Sequence, residues 1–76
     1  MIKYKAYLTK GNKAVKVLFD VTKVNPNYKY GYFEITQHIY HHDIITIHRY
    51  KDVDSVIIKD QKDGSGLTTY YAREVQ

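Results

Sequence analysis

Tyr4-Lys5-Ala6-Tyr7-Leu8-Thr9-Lys10-Gly11-Asn12-Lys13-Ala14-Val15-Lys16-Val17-Leu18-Phe19 is the stretch on which the fold turns. Two runs rich in alternating apolar residues flank Gly11-Asn12, a two-residue hairpin turn signal. A turn of that length fixes the partners. Lys10 faces Lys13, Leu8 faces Val15, Ala6 faces Val17, Tyr4 faces Phe19 and Ile2 faces Val21. The last four pairs are apolar and share one face. The other face carries Lys3 with Asp20, Lys5 with Leu18 and Tyr7 with Lys16. Because side chains alternate with period two, a slip of one residue would turn one whole strand to the wrong face.

A second hairpin is predicted around Asp63-Gly64, joining residues 54–62 to residues 65–75. A two-residue loop there opposes Val56 to Tyr71, Ile57 to Tyr70, Ile58 to Thr69 and Asp54 to Arg73, all favourable cross-strand neighbours. Between the hairpins, residues 28–35 alternate Tyr28, Tyr30 and Tyr32 with Phe33 and Ile35, and residues 44–50 form a further strand. A tight turn at His41-His42 would align Ile39 with Ile44 and Glu34 with Arg49; one short helical turn near residues 36–42 is the alternative. Pro26 cannot donate to a ladder and marks a break between strands. Gly31 lies mid-strand, where a bend or bulge fits. The expected fold is therefore all-β: a six-stranded antiparallel meander, closed into a small barrel or roll to remove its edges, although pairing of sheets between two chains would serve equally well.

The chain has 76 residues, enough for one domain spanning 1–76. A domain this small buries only about 60% of the surface its unfolded chain exposes. It has no cysteine, so neither a disulfide nor a thiolate metal site braces it. Dense packing or a second copy must compensate, and a homo-oligomer is expected. Nine tyrosines and only three alanines favour strands over helices. The net charge of +4 suits anionic partners, and equally suits simple solubility. No stretch approaches the apolar length of a membrane span, and Met1-Ile2-Lys3-Tyr4-Lys5 lacks a signal-peptide core, so a cytoplasmic protein is expected.

Little in the sequence points to catalysis or to a cofactor. Ser55 and Ser65 are the only serines, and neither lies in a strand–turn–helix elbow. Asp52 and Asp54 read as a solvated pair at a strand start. Asp63-Gly64-Ser65-Gly66 precedes a strand rather than the helix a phosphate loop needs. His38, His41 and His42 are the weak candidates for metal ligation; on a helix all three share a face, and on one strand His38 and His42 do. His48, in an apolar strand, has no evident acid–base partner.

Lysine interleaved with tyrosine is the remaining constellation. Lys3, Lys5, Tyr7 and Lys16 fall on the non-core face of the first hairpin, and Lys23, Lys29, Tyr28 and Tyr30, with Tyr32, extend it if their strand is adjacent. Two functions follow. Tyrosine supplies rigid contact area at protein interfaces, which suits a non-enzymatic protein-binding module of the size of phage-encoded inhibitors and counter-defence proteins. The alternative is a β-barrel that binds single-stranded nucleic acid, with lysines on phosphates and rings stacked on bases.

Overall fold

The computed structural model describes residues 2–73. Six strands follow one another: β1 (Tyr4–Lys10), β2 (Lys13–Asn27), β3 (Tyr32–Ile39), β4 (His42–Arg49), β5 (Ser55–Asp60) and β6 (Gly66–Tyr71). All pair antiparallel in one sheet of order β4-β3-β2-β1-β5-β6. The class is all-β as expected, but neither the full meander nor the closed barrel forms. The first four strands meander; β5 then returns to the free side of β1, and β4 and β6 are left as edges.

The return is built into residues 50–54. Val53 N–H donates to the Arg49 carbonyl (3.0 Å) and Asp54 N–H to the Thr9 carbonyl (2.7 Å), which delivers β5 beside β1 rather than beside β4. The Asp54 carboxylate then accepts from the Gly11 N–H (2.8 Å) and from Lys10 Nζ (3.1 Å). These bonds hold the Asp54 pKa below the usual carboxylate value. The expected Asp54–Arg73 pair is absent, because Arg73 lies over the Tyr28 ring instead, 4.7 Å from its centroid.

Strand β2 curls the sheet. Its first half pairs with β1 and its second half with β3, and the two ladders meet at Val21. Phe33 and Ile35 of β3 thereby share one core with Ala6, Leu8, Leu18, Val21, Val53, Val56 and Ile58. Pro26 does not break the chain between strands: it lies inside β2, opposite Phe33, where β2 has a ladder on one side only and can tolerate a missing donor. Gly31 is not mid-strand. It takes φ +74° at the end of the β2–β3 turn, donating to the Asn27 carbonyl, so Tyr28 and Tyr30 belong to that turn.

Two bulges correct the first hairpin. The Gly11-Asn12 turn is as expected, with φ +57° and +66°, and Lys10 opposes Lys13. Beyond Thr9–Ala14 the register shifts, so Lys16 opposes Leu8, Val17 opposes Tyr7 and Leu18 opposes Ala6. Leu18 becomes core, while Val15 and Phe19, expected inside, are 57% and 51% exposed. A second shift at Phe19-Asp20 restores the original face, and Val21, opposite Tyr4, is fully buried. Asp20 adopts φ +56° there. A bulge leaves backbone groups without ladder partners, and two glutamines satisfy them. Gln37 Nε2 donates to the Phe19 carbonyl (2.9 Å), and Gln61 Oε1 accepts the Asp20 N–H (2.7 Å). Gln61 Nε2 also donates to Asp20 Oδ1 (2.9 Å), and Lys3 Nζ lies 3.7 Å from the same oxygen, as the cross-strand reading expected.

The second hairpin is longer in the loop than expected. Asp60 Oδ1 accepts the N–H groups of Lys62 and Asp63, and the Asp60 N–H donates to the Ser65 carbonyl, closing a wider turn. Val56 therefore opposes Tyr70, Ile57 opposes Thr69 and Ile58 opposes Thr68, one residue from the expected register, and Leu67 is the extra residue of a bulge. Continuation of this strand to residue 75 lies outside the described residues. In the middle, strands replace the helical turn considered for residues 36–42. The chain reverses at Tyr40-His41, whose φ values of +50° and +66° give a two-residue turn. Ile39 then opposes His42 and Glu34 opposes Ile47, a turn one residue earlier than His41-His42.

Candidate binding surfaces

The bulges scatter the lysine–tyrosine face. Lys5 and Tyr7 remain together on the outer side of β1, Lys5 opposite Lys59 and Tyr7 opposite both Val17 and Ile57. Lys16 is moved to the Leu8 face and leaves this group. Lys3 is engaged by Asp20. Tyr28 packs on Tyr50 with ring centroids 6.3 Å apart and lies under Arg73. Tyr30 is an exposed turn residue with Lys29 over its ring. Tyr32 Oη accepts from Asn27 Nδ2 (3.1 Å). These residues thus occupy separate regions rather than one groove.

What the outer side of β1 and β5 does present is a cationic aromatic patch. Lys59 Nζ lies 5.1 Å from the Tyr7 ring centroid, and Lys5 Nζ lies 5.4 Å from that of Phe19. Each ammonium covers a ring face by cation–π attraction. A covered face is not open to a stacked base, which single-strand recognition requires. Phe19, Ile57 and Lys59 were missed as members of this patch, because only the bulges bring Phe19 outward.

The histidines are also kept apart. His38 pairs with Asp43, its Nδ1 2.8 Å from Oδ1, on the outer side of β3 and β4. His42 opposes Ile39, one residue on, and so takes the other face; His41 is in the turn. Among the described residues, no three His, Cys, Asp or Glu side chains converge as a metal site.

His48 acquires a partner that the sequence did not disclose. Its Nε2 lies 2.7 Å from the Thr46 hydroxyl. Partial burial, with the nearby charge of Lys16, lowers its pKa below 6.5. The folded state therefore favours the neutral ring. Stability from this group is complete above pH about 6.5 and is lost as pH falls through the lowered folded value, because the unfolded chain takes up the proton first. The thermal midpoint is expected to fall on acidification from neutral pH, and His48→Gln to flatten that slope. Thermal melts of both proteins across this window check it.

Two apolar features stand open. A groove of about 310 Å³ between β6 and the second half of β2 is lined by Tyr4, Val21, Val24, Ile58, Leu67 and Tyr70. The other is strand β4. Its Ile44, Ile45 and Ile47 are 43%, 59% and 48% exposed, although the strand is regular throughout. Ile45 and Ile47 lie on the outer face with Asp43 and Arg49, and Ile44 lies on the face of Thr46 and His48. Ile44-Ile45-Thr46-Ile47 carries apolar residues on both faces, the one sequence signal for this surface. No family model, curated protein or solved structure matches the chain.

Proposed function

We propose that the chain is a small non-enzymatic binding module that works by protein–protein contact through the free edge of β4. The observation that carries this reading is the unprotected character of that edge. Edge strands in soluble proteins are usually short, bulged, or guarded along their length by charged side chains, lysine above all, or by proline. β4 is eight residues long, pairs with β3 without a register shift, has no lysine or proline and carries Asp43 and Arg49 only towards its ends, yet exposes three isoleucines between them. β6, the opposite edge, is six residues long, begins at Gly66 and has a bulge. An extended segment added to β4 would gain main-chain hydrogen bonds for affinity and side-chain contacts for specificity. An inhibitor that occupies another chain's strand needs no more chemistry than this.

Cross-linking with mass-spectrometric mapping tests the reading, comparing the natural chain with Ile45→Lys/Ile47→Lys. Cross-links centred on β4 are expected, lost in the variant at a nearly unchanged thermal midpoint. Cross-links that map elsewhere, or that survive the substitutions, contradict it. The rival reading, single-stranded nucleic-acid binding, has Lys5 and Lys59 around Tyr7 in its favour. It requires affinity for an oligonucleotide that falls linearly with salt on logarithmic axes. We expect no measurable binding at low salt.

A further inference from the structure

We infer that the partner of β4 is β4 of a second copy, paired antiparallel about a two-fold axis through Thr46. This rests on the free-edge reading above and names its occupant. Three independent features of the strand select it.

Hydrogen-bonding parity is the first. Tyr50 N–H donates to the Gly31 carbonyl (3.0 Å), so that pair is of the hydrogen-bonded kind. Such pairs recur at every second residue of an antiparallel ladder. His42, Ile44, Thr46 and His48 therefore direct their N–H and C=O groups to β3, as the two-residue turn at Tyr40-His41 also requires. Asp43, Ile45, Ile47 and Arg49 direct theirs to the free edge.

Face is the second. In a sheet continued through a perpendicular two-fold axis, directly opposed residues share a face. Pairing about Thr46 sets Ile45 against Ile47 of the second copy and Asp43 against Arg49 of the second copy. Both pairs join outer-face residues that carry outward-directed backbone groups. Thr46 meets its own copy on the other face, a favourable cross-strand pair.

Charge is the third, and it selects the register. Asp43 and Arg49 lie three residues on either side of Thr46, so the two-fold axis opposes unlike charges twice. Pairing about Ile45 would set Asp43 against Ile47, and pairing about Ile47 would set Arg49 against Ile45. Only the Thr46 axis matches isoleucine to isoleucine and carboxylate to guanidinium together. Asp43 is largely exposed, and the oxygen not nearest His38 remains free to accept from a guanidinium.

Sedimentation velocity from micromolar to millimolar concentration tests the inference. A dimer is expected to form with rising concentration. Asp43→Arg and Arg49→Asp should each raise the dimer dissociation constant about tenfold or more, since each converts two attractive pairs into repulsive ones. The double variant Asp43→Arg/Arg49→Asp should restore association, and Leu67→Lys on β6 should leave it unchanged. A natural chain that stays monomeric overturns the inference, as does a double variant no better than its parents, or dissociation by Leu67→Lys alone. A monomeric chain whose β4 cross-links to a different protein overturns self-pairing while leaving the free-edge reading standing.

Discussion

Phe33→Ala is expected to remove about 3–5 kcal/mol of stability, a large share of what this domain has. Native domains hold roughly 0.05–0.15 kcal/mol per residue, or about 4–11 kcal/mol for a chain of this length. Phe33 is the largest fully buried side chain, and it lies in the core that β3 shares with β1, β2 and β5. Its ring also packs on Tyr50, centroids 4.9 Å apart, which ties β3 to the connection leading into β5. Truncation leaves a cavity in the shared core, which the surrounding side chains refill only in part. Denaturant unfolding should show the midpoint collapsing toward zero denaturant. Phe33→Leu, which keeps most of the volume, should lose far less.

Gln61→Ala is the second large effect, about 2 kcal/mol from a side chain outside the hydrophobic core. The residue makes two hydrogen bonds to Asp20, one to its N–H and one to its carboxylate. Each such bond contributes about 1 kcal/mol, more where a partly buried group is left unsatisfied. The effect is structural as well as energetic, because the Asp20 bulge turns β2 from the β1 ladder to the β3 ladder. Lys3→Ala should cost little, since its contact with Asp20 is long and solvent-accessible. Equilibrium unfolding of the two variants distinguishes a bulge held by hydrogen bonds from one held by the ion pair.

The sequence made some of this legible and hid the rest for physical reasons. The strand content and the Gly11-Asn12 turn could be read because alternation and turn chemistry are local. Ala6, Leu8 and Val21 were assigned to the core correctly for the same reason. Neither bulge could be read: the one at Asp20 is held by Gln37 and Gln61, remote in sequence, and the one at Val15 lies within an alternation of residue types. They displaced Val15 and Phe19 from the expected core, brought Leu18 into it, and separated Lys16 from Lys5 and Tyr7. The barrel was expected because closure would remove the long edges of an open six-stranded sheet. Instead, the bonds at Val53 and Asp54 send β5 to the far side of β1 and leave β4 free. Tyr40-His41 was missed as a turn because it contains none of the glycine, asparagine or aspartate that usually fill a two-residue hairpin loop.

Strand β4 was visible as a strand, but not as an edge. That is a property of sheet order, and sheet order is set by the β1–β5 ladder. Its apolar residues on both faces gain meaning only once one side of the strand is known to be open.

Amide hydrogen exchange along β4, measured against protein concentration, tests the central claim most directly. Ile45 and Ile47 point their N–H groups to the free edge, while those of Ile44 and Thr46 are bonded to β3. Protection of Ile45 and Ile47 is expected to rise with concentration, with Ile44 and Thr46 unchanged relative to the rest of the sheet. Fast exchange of the Ile45 and Ile47 amides at every concentration would contradict it.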